Sequence, residues 1–209
     1  MKLTLFRPAM LLALALSVAG CGGKNMFDVN VLFVDEQGAP APPRYTGLVL
    51  TNGGDTLAVK PDATSAKFAK QIEYGTVYTV ATPPEAQQPL HQNCVVFSGG
   101  SDTAGRLAAI NVYVKCTVDQ HLVKVAVTGL TGAETVVLAN GRTGLNVIGN
   151  KDTTTPATVL PVEFPVFFGD AYGITVVTPP AGSKCSVENG VGVMGDVDIT
   201  NVKVACTKL

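Results

Sequence analysis

The sequence predicts an all-β protein arranged as two tandem β-sandwiches. Three observations carry that expectation. Charged residues are only 15% of the 209, whereas glycines number 22 and prolines 13, among many Val and Thr. β-Branched residues suit a half-buried pleated surface, and Gly and Pro punctuate it with turns. Short apolar runs recur about every 8–12 residues with turn signals between them, as in sandwiches, and no long run has a helical period. Finally, segments of the first half return in the same order in the second, about 90 residues later.

The N-terminus stands apart from this pattern. Lys2 and Arg7 precede an apolar stretch from Met10 to Ala19, shorter than the roughly 20 residues that cross a bilayer as a helix. This reads as a signal segment over residues 1–20. Val18-Ala19-Gly20-Cys21-Gly22-Gly23 resembles the lipobox of bacterial lipoproteins, although such boxes usually begin with Leu where this chain has Val18. The resemblance covers only this segment. It implies that Cys21 receives a diacylglycerol, that a peptidase cuts before it, and that the new amine is acylated. Several chains, at about 0.8 kcal/mol per buried methylene, make a stable anchor. By the same analogy, Gly22 rather than Asp after the cysteine implies sorting to the outer membrane. A secretory signal cut elsewhere, leaving Cys21 a spare thiol, is the alternative.

Removing residues 1–20 leaves 189 residues with 13 basic and 16 acidic side chains, a formal charge of −3. Nucleic-acid binding needs a basic face, and nothing in this chain supplies one. No partner of that kind is expected.

After a lipidated linker over residues 21–26, the first repeat is placed at 27–118 and the second at 119–209. Predicted strands of the first are Phe27 to Val34, Gly47 to Thr51, Thr56 to Lys60, Val77 to Thr82, Asn93 to Ser98 and Leu107 to Cys116. The second offers Leu122 to Thr128, Thr135 to Ala139, Leu145 to Ile148, Thr158 to Val162, Gly173 to Thr178, Lys184 to Val187 and Asp198 to Cys206. Asn111-Val112-Tyr113-Val114-Lys115-Cys116-Thr117 returns as Asn201-Val202-Lys203-Val204-Ala205-Cys206-Thr207, and Thr79-Val80-Ala81-Thr82-Pro83-Pro84 as Thr175-Val176-Val177-Thr178-Pro179-Pro180. Asn52-Gly53 and Asn140-Gly141 read as matching turns.

The four cysteines past Cys21 permit three pairings; the duplication favours Cys94 with Cys116 and Cys185 with Cys206. Each pair is centred on a turn-rich stretch, at Gly105 and at Gly195-Asp196, and so fits opposite positions on one hairpin. By period two, Val112, Val114 and Cys116 share a face, as do Val202, Val204 and Cys206. Secretion to an oxidising compartment suits bridging. A four-thiol zinc site would want a close Cys-x-x-Cys pair, which is absent.

Each copy thereby resembles an immunoglobulin-like or prealbumin-like β-sandwich. It departs from antibody-type domains in having no Trp and an intra-hairpin rather than inter-sheet bridge. The motif series also resembles repeats of uncharacterised bacterial surface lipoproteins, which implies no particular activity.

The residues suited to chemistry are few. His91 and His121 are the two histidines, and both read as solvated loop or strand-end residues, since acid–base or nucleophilic work needs partners the sequence does not place nearby. Asp196 and Asp198 read as a polar turn, calcium being the alternative. Gly53-Gly54 and Gly99-Gly100 read as turns rather than phosphate loops, because no Gly-Lys-Ser/Thr ending follows. Phe164, Phe167, Phe168 and Tyr172, with Phe68, Tyr74 and Tyr78 in the other copy, fill the core or form an exposed patch. Two segments particular to the first copy, Glu36 to Tyr45 and Glu85 to Asn93, are either binding loops or spacers.

The expectation is a non-catalytic lipoprotein without cofactor, lipid-anchored at the outer membrane on its periplasmic face or at the cell surface. It would act as a structural or protein-interaction module of the envelope, or alternatively bind glycan or cell-wall material.

Overall fold

A computed structural model describes residues 25–149 and 160–209. The signal segment, Cys21 and the start of the strand predicted from Thr158 lie outside the described residues. The chain is all-β. Its strands are β1 (Met26–Phe27), β2 (Val29–Phe33), β3 (Val49–Asn52), β4 (Asp55–Ala58), β5 (Ser65–Lys67), β6 (Ile72–Glu73), β7 (Val77–Ala81), β8 (Gln92–Ser98), β9 (Ser101–Thr103) and β10 (Ile110–Val118). Then come β11 (Gln120–Thr128), β12 (Thr135–Asn140), β13 (Thr143–Ile148), β14 (Leu160–Phe167), β15 (Ala171–Thr178), β16 (Ser183–Glu188), β17 (Val191–Val193) and β18 (Ile199–Lys208). One 3₁₀ turn spans Glu85–Gln87.

The duplication is plain in the topology. Sheet β5-β2-β10-β8 packs on β4-β3-β7-β9, and β14-β11-β18-β16 packs on β13-β12-β15-β17. In each copy the first long strand lies parallel to the last, β2 beside β10 and β11 beside β18, while the other neighbours run antiparallel. A two-stranded ribbon, β1-β6, is added to the first copy.

Period-two alternation fills the cores. Val29, Val31 and Phe33 of β2 meet Val112 and Val114 of β10; Val123, Val125 and Val127 of β11 meet Val202 and Val204 of β18. Burying each such side chain contributes about 1.5–3 kcal/mol.

Both bridges form as expected, Cys94–Cys116 and Cys185–Cys206, with the cysteines directly opposite on neighbouring antiparallel strands. The connection inside each bridge is more than a turn, however. It crosses to the opposite sheet, adds β9 or β17 to the edge, and returns. Gly100 and Gly190 sit at that crossing: their carbonyls accept from the N–H groups of Val80 and Ile174 at 2.7 Å. A Cβ there would stand 2.5 and 2.6 Å from the Val96 and Val187 methyls.

Several boundaries differ from expectation. β5, β6, β9 and β17 have only two or three residues each, too few to carry a readable alternation in the sequence; pairing with a neighbouring strand makes them strands. The hairpin turns fall on Gly53-Gly54, as that glycine pair reads, and on Gly141-Arg142, one residue past the start of each Asn-Gly pair. Asn52 and Asn140 end their strands, and their side-chain oxygens accept from Thr79 N–H (3.2 Å) and Gly173 N–H (2.9 Å). That equivalence offsets the Thr-Pro-Pro motifs by two residues, because β15 runs on past a bulge opposite Val137 and Leu138. An offset of two leaves each side chain on its own face.

Candidate functional site

The two copies follow each other with Asp119 alone between β10 and β11, and polar and aromatic side chains gather where they meet. The two first-copy segments expected to be binding loops or spacers converge there. Buried Gln92 fixes the first of them: its Oε1 accepts from the backbone N–H of Arg44 (2.9 Å) and Tyr45 (3.3 Å). Gln88 pins the second: Nε2 donates to the carbonyls of Pro83 (2.7 Å) and Cys94 (3.0 Å), and Oε1 accepts from Cys94 N–H (3.0 Å).

Thus held, both segments reach the second copy. Arg44 Nη2 donates to Asp170 Oδ1 at 2.8 Å, and that bond raises the Arg44 pKa further above its ordinary value. Tyr45 Oη donates to the Phe168 carbonyl at 2.8 Å. His91 stacks on Phe168 with ring centroids 3.5 Å apart, and Tyr45 meets both rings edge-on at 5.8 and 5.7 Å. His91 Nδ1 lies 2.8 Å from Asp196 Oδ1. Along the backbone, Asp119 N–H donates to the His91 carbonyl (2.9 Å) and Phe168 N–H to that of Asp119 (2.8 Å). Gly169, at φ 78°, leaves room for the Tyr45 hydroxyl, which a Cβ would meet at 2.8 Å.

His91 is therefore no solvated loop residue. It takes a left-handed backbone, φ 63°, and its ring closes the joint. Asp196 and Asp198 share no site either. Asp196 faces His91, whereas Asp198 takes Lys124 (2.8 Å) and Leu122 N–H (2.9 Å), with His121 Nδ1 at 4.0 Å. The Lys124 bond first, and then the Leu122 N–H, hold the Asp198 carboxyl below its ordinary pKa. The aromatic residues divide: Phe164 and Phe167, of opposite parity on β14, are buried and exposed respectively, Tyr172, Phe68 and Tyr78 are buried, Tyr74 is exposed, and Phe168 belongs to the joint.

Beside the joint lies a groove of about 420 Å³ between the Asp35-to-Arg44 segment, the end of β10 and Phe167 of β14. Lys115 pairs with Glu36 over it. Phe167, 42% exposed, contributes an apolar wall. This groove was not legible beforehand, since its walls come from three separate stretches of chain.

No protein-family model matches the chain, and no curated protein matches it at a significant level. Among solved structures, it is similar to the TIE protein of Bacillus anthracis at 14% identity and TM-score 0.47, over 88% of this chain and 34% of that one. The chain thus spans about a third of that structure's length. GBS52, the minor pilin of Streptococcus agalactiae, aligns at 10% identity and TM-score 0.29, over 88% of this chain and 96% of that one. A single B repeat unit of the collagen-binding surface protein of Staphylococcus aureus aligns at 15% identity and TM-score 0.28, over 88% and 99%.

Proposed function

We propose that the chain is a non-catalytic lipoprotein of the cell envelope. Two sandwich modules, 27–118 and 119–209, would be anchored through lipid on Cys21 and serve as a structural or protein-interaction module. The observation that carries the reading is the joint. The side chains best suited to chemistry or ligand contact in the first copy's special loops, Arg44, Tyr45 and His91, are instead committed to holding one sandwich against the other. A module whose halves are fixed in this way presents its surfaces in one arrangement and loses little entropy on engaging a partner. The lipobox supports the anchor and the outer-membrane assignment.

The test has two parts. Replacing Cys21→Ala should move the protein from the membrane fraction to the soluble one; retention in membranes would sink the anchor. Labelling intact and lysed cells with a membrane-impermeant lysine reagent then separates the periplasmic face, labelled only after lysis, from the cell surface, labelled on whole cells.

A further inference from the structure

We infer that the groove beside the joint is a slot for a short extended peptide of a partner protein, which would pair with the free edge of β10; this rests on reading the chain as an interaction module. The argument starts from backbone direction. Val34 N–H donates to the Val114 carbonyl at 3.0 Å, so Val114 presents its backbone groups toward β2. In a strand these groups alternate sides, so Cys116 and Val118 present theirs the same way. Asp119, of opposite parity, points back and donates to His91 on the β8 side. The 4.0 Å Cα separation of Cys94 and Cys116 agrees, for the closer kind of antiparallel pair exchanges no hydrogen bonds.

Among the described residues, no strand continues β2 alongside Cys116 and Val118. The ladder with β2 ends at Val114 and Phe33. Asp35 then reverses the chain: its side chain accepts from Gln37 N–H (2.9 Å) and Ala39 N–H (2.8 Å), and Val34 bridges to Pro40. The edge of β10 is left opening into the groove that Cys116 and Val118 line.

The second copy shows the contrast. There β11 follows β18 to Thr128 and Ala205, and Gly129 packs so close that a Cβ would lie 1.8 Å from the Cys206 carbonyl. The equivalent edge is closed.

A peptide fits this opening better than other ligands. Backbone N–H and C=O groups spaced two residues apart match an added strand. Phe167 offers an apolar contact for one peptide side chain. Of the nearby charges, Glu36 pairs with Lys115 and Arg44 with Asp170, and the Asp35 carboxyl is turned onto the Gln37 and Ala39 N–H groups, which favours an uncharged segment alternating small polar and apolar residues.

The test titrates the full-length lipidated protein in detergent, labelled with ¹⁵N, with capped pentapeptides of sequence Thr-X-Thr-X-Thr, where X is Val, Leu, Phe or Ala. At least one should saturably shift the Cys116 and Val118 amides and slow their hydrogen exchange. Methylating the peptide's own backbone nitrogens should weaken binding about tenfold or more, since each lost hydrogen bond counts. Phe167→Ala should weaken it severalfold without changing amide protection at Val31 or Val125. Equal binding by the methylated peptides, shifts confined to other edges such as β17, or no response to any peptide would overturn the proposal. So would chitotriose shifting these amides where the peptides do not, which would mark a glycan groove. Should the peptides fail while Cys21→Ala still releases the protein from membranes, the anchored-module reading stands and only the slot is lost.

Discussion

Replacing Phe168→Ala should loosen the joint while leaving both sandwiches folded. The ring lies flat on His91 at a 3.5 Å centroid distance and takes Tyr45 edge-on at 5.7 Å. Aromatic pairs of these kinds each contribute about 0.5–1.5 kcal/mol beyond buried area, so losing both costs about 1–3 kcal/mol. The Asp119 amide, which donates to the carbonyl of His91 at the edge of the joint, reports the opening through hydrogen exchange. At about 1.4 kcal/mol per decade, its protection should fall about 5- to 150-fold. Protection at Val31 and Val125, buried in the two cores, should stay within about twofold, as those sites share no contact with the ring. His91→Asn is the companion change, because Asn tolerates the left-handed backbone that His91 adopts. The double variant should fall short of additivity by about 0.5–1.5 kcal/mol. Unchanged Asp119 protection, or equal losses at Val31 and Val125, would refute the claim that stacked rings hold the halves together.

Three further outcomes follow from the same structure. Gly129→Ala combines φ 85° with a Cβ 1.8 Å from the Cys206 carbonyl and should cost about 3 kcal/mol or more. Calorimetry should then show the second sandwich melting at least about 12 °C lower, whereas Gly132→Ala, at φ 55° with open space, should lose far less. Removing Cys185 and Cys206 together, by Ala, frees a loop of sequence separation 21 and should cost about 3 kcal/mol; urea unfolding followed by amide exchange should show the loss at Val204 and none at Val112. Glu134 is held at a pKa of about 2, against an ordinary 4.5, by Lys208 first and then by the Thr131 N–H and hydroxyl. A lowered carboxylate pKa contributes stability that is complete above the unfolded value and is lost as pH falls through about 2. Lys208→Gln should therefore flatten the decline in melting temperature between pH 5 and pH 2, and an unchanged slope would contradict the assignment.

Much of the fold was legible because it rests on local chemistry. Alternating Val residues at 112 and 114, and again at 202 and 204, mark a strand and its buried face without knowledge of the neighbours. The repeated Asn-Val-x-Val-x-Cys segment then pairs the cysteines, because two copies of one fold place them alike. Only three-dimensional packing decided the rest. β9 and β17 are strands because an edge accepts them, and the crossing that delivers them depends on glycines fitting against Val96 and Val187. His91, Tyr45 and Phe168 lie at sequence positions that share no pattern, so nothing local announces that their rings meet. The free edge of β10 arises from where β2 stops, a property of two strands and a turn together. Periodicity records which face of a strand is dry, since that depends on each segment's own side chains; joints and grooves depend on distant segments arriving at one place, which no single stretch of sequence encodes.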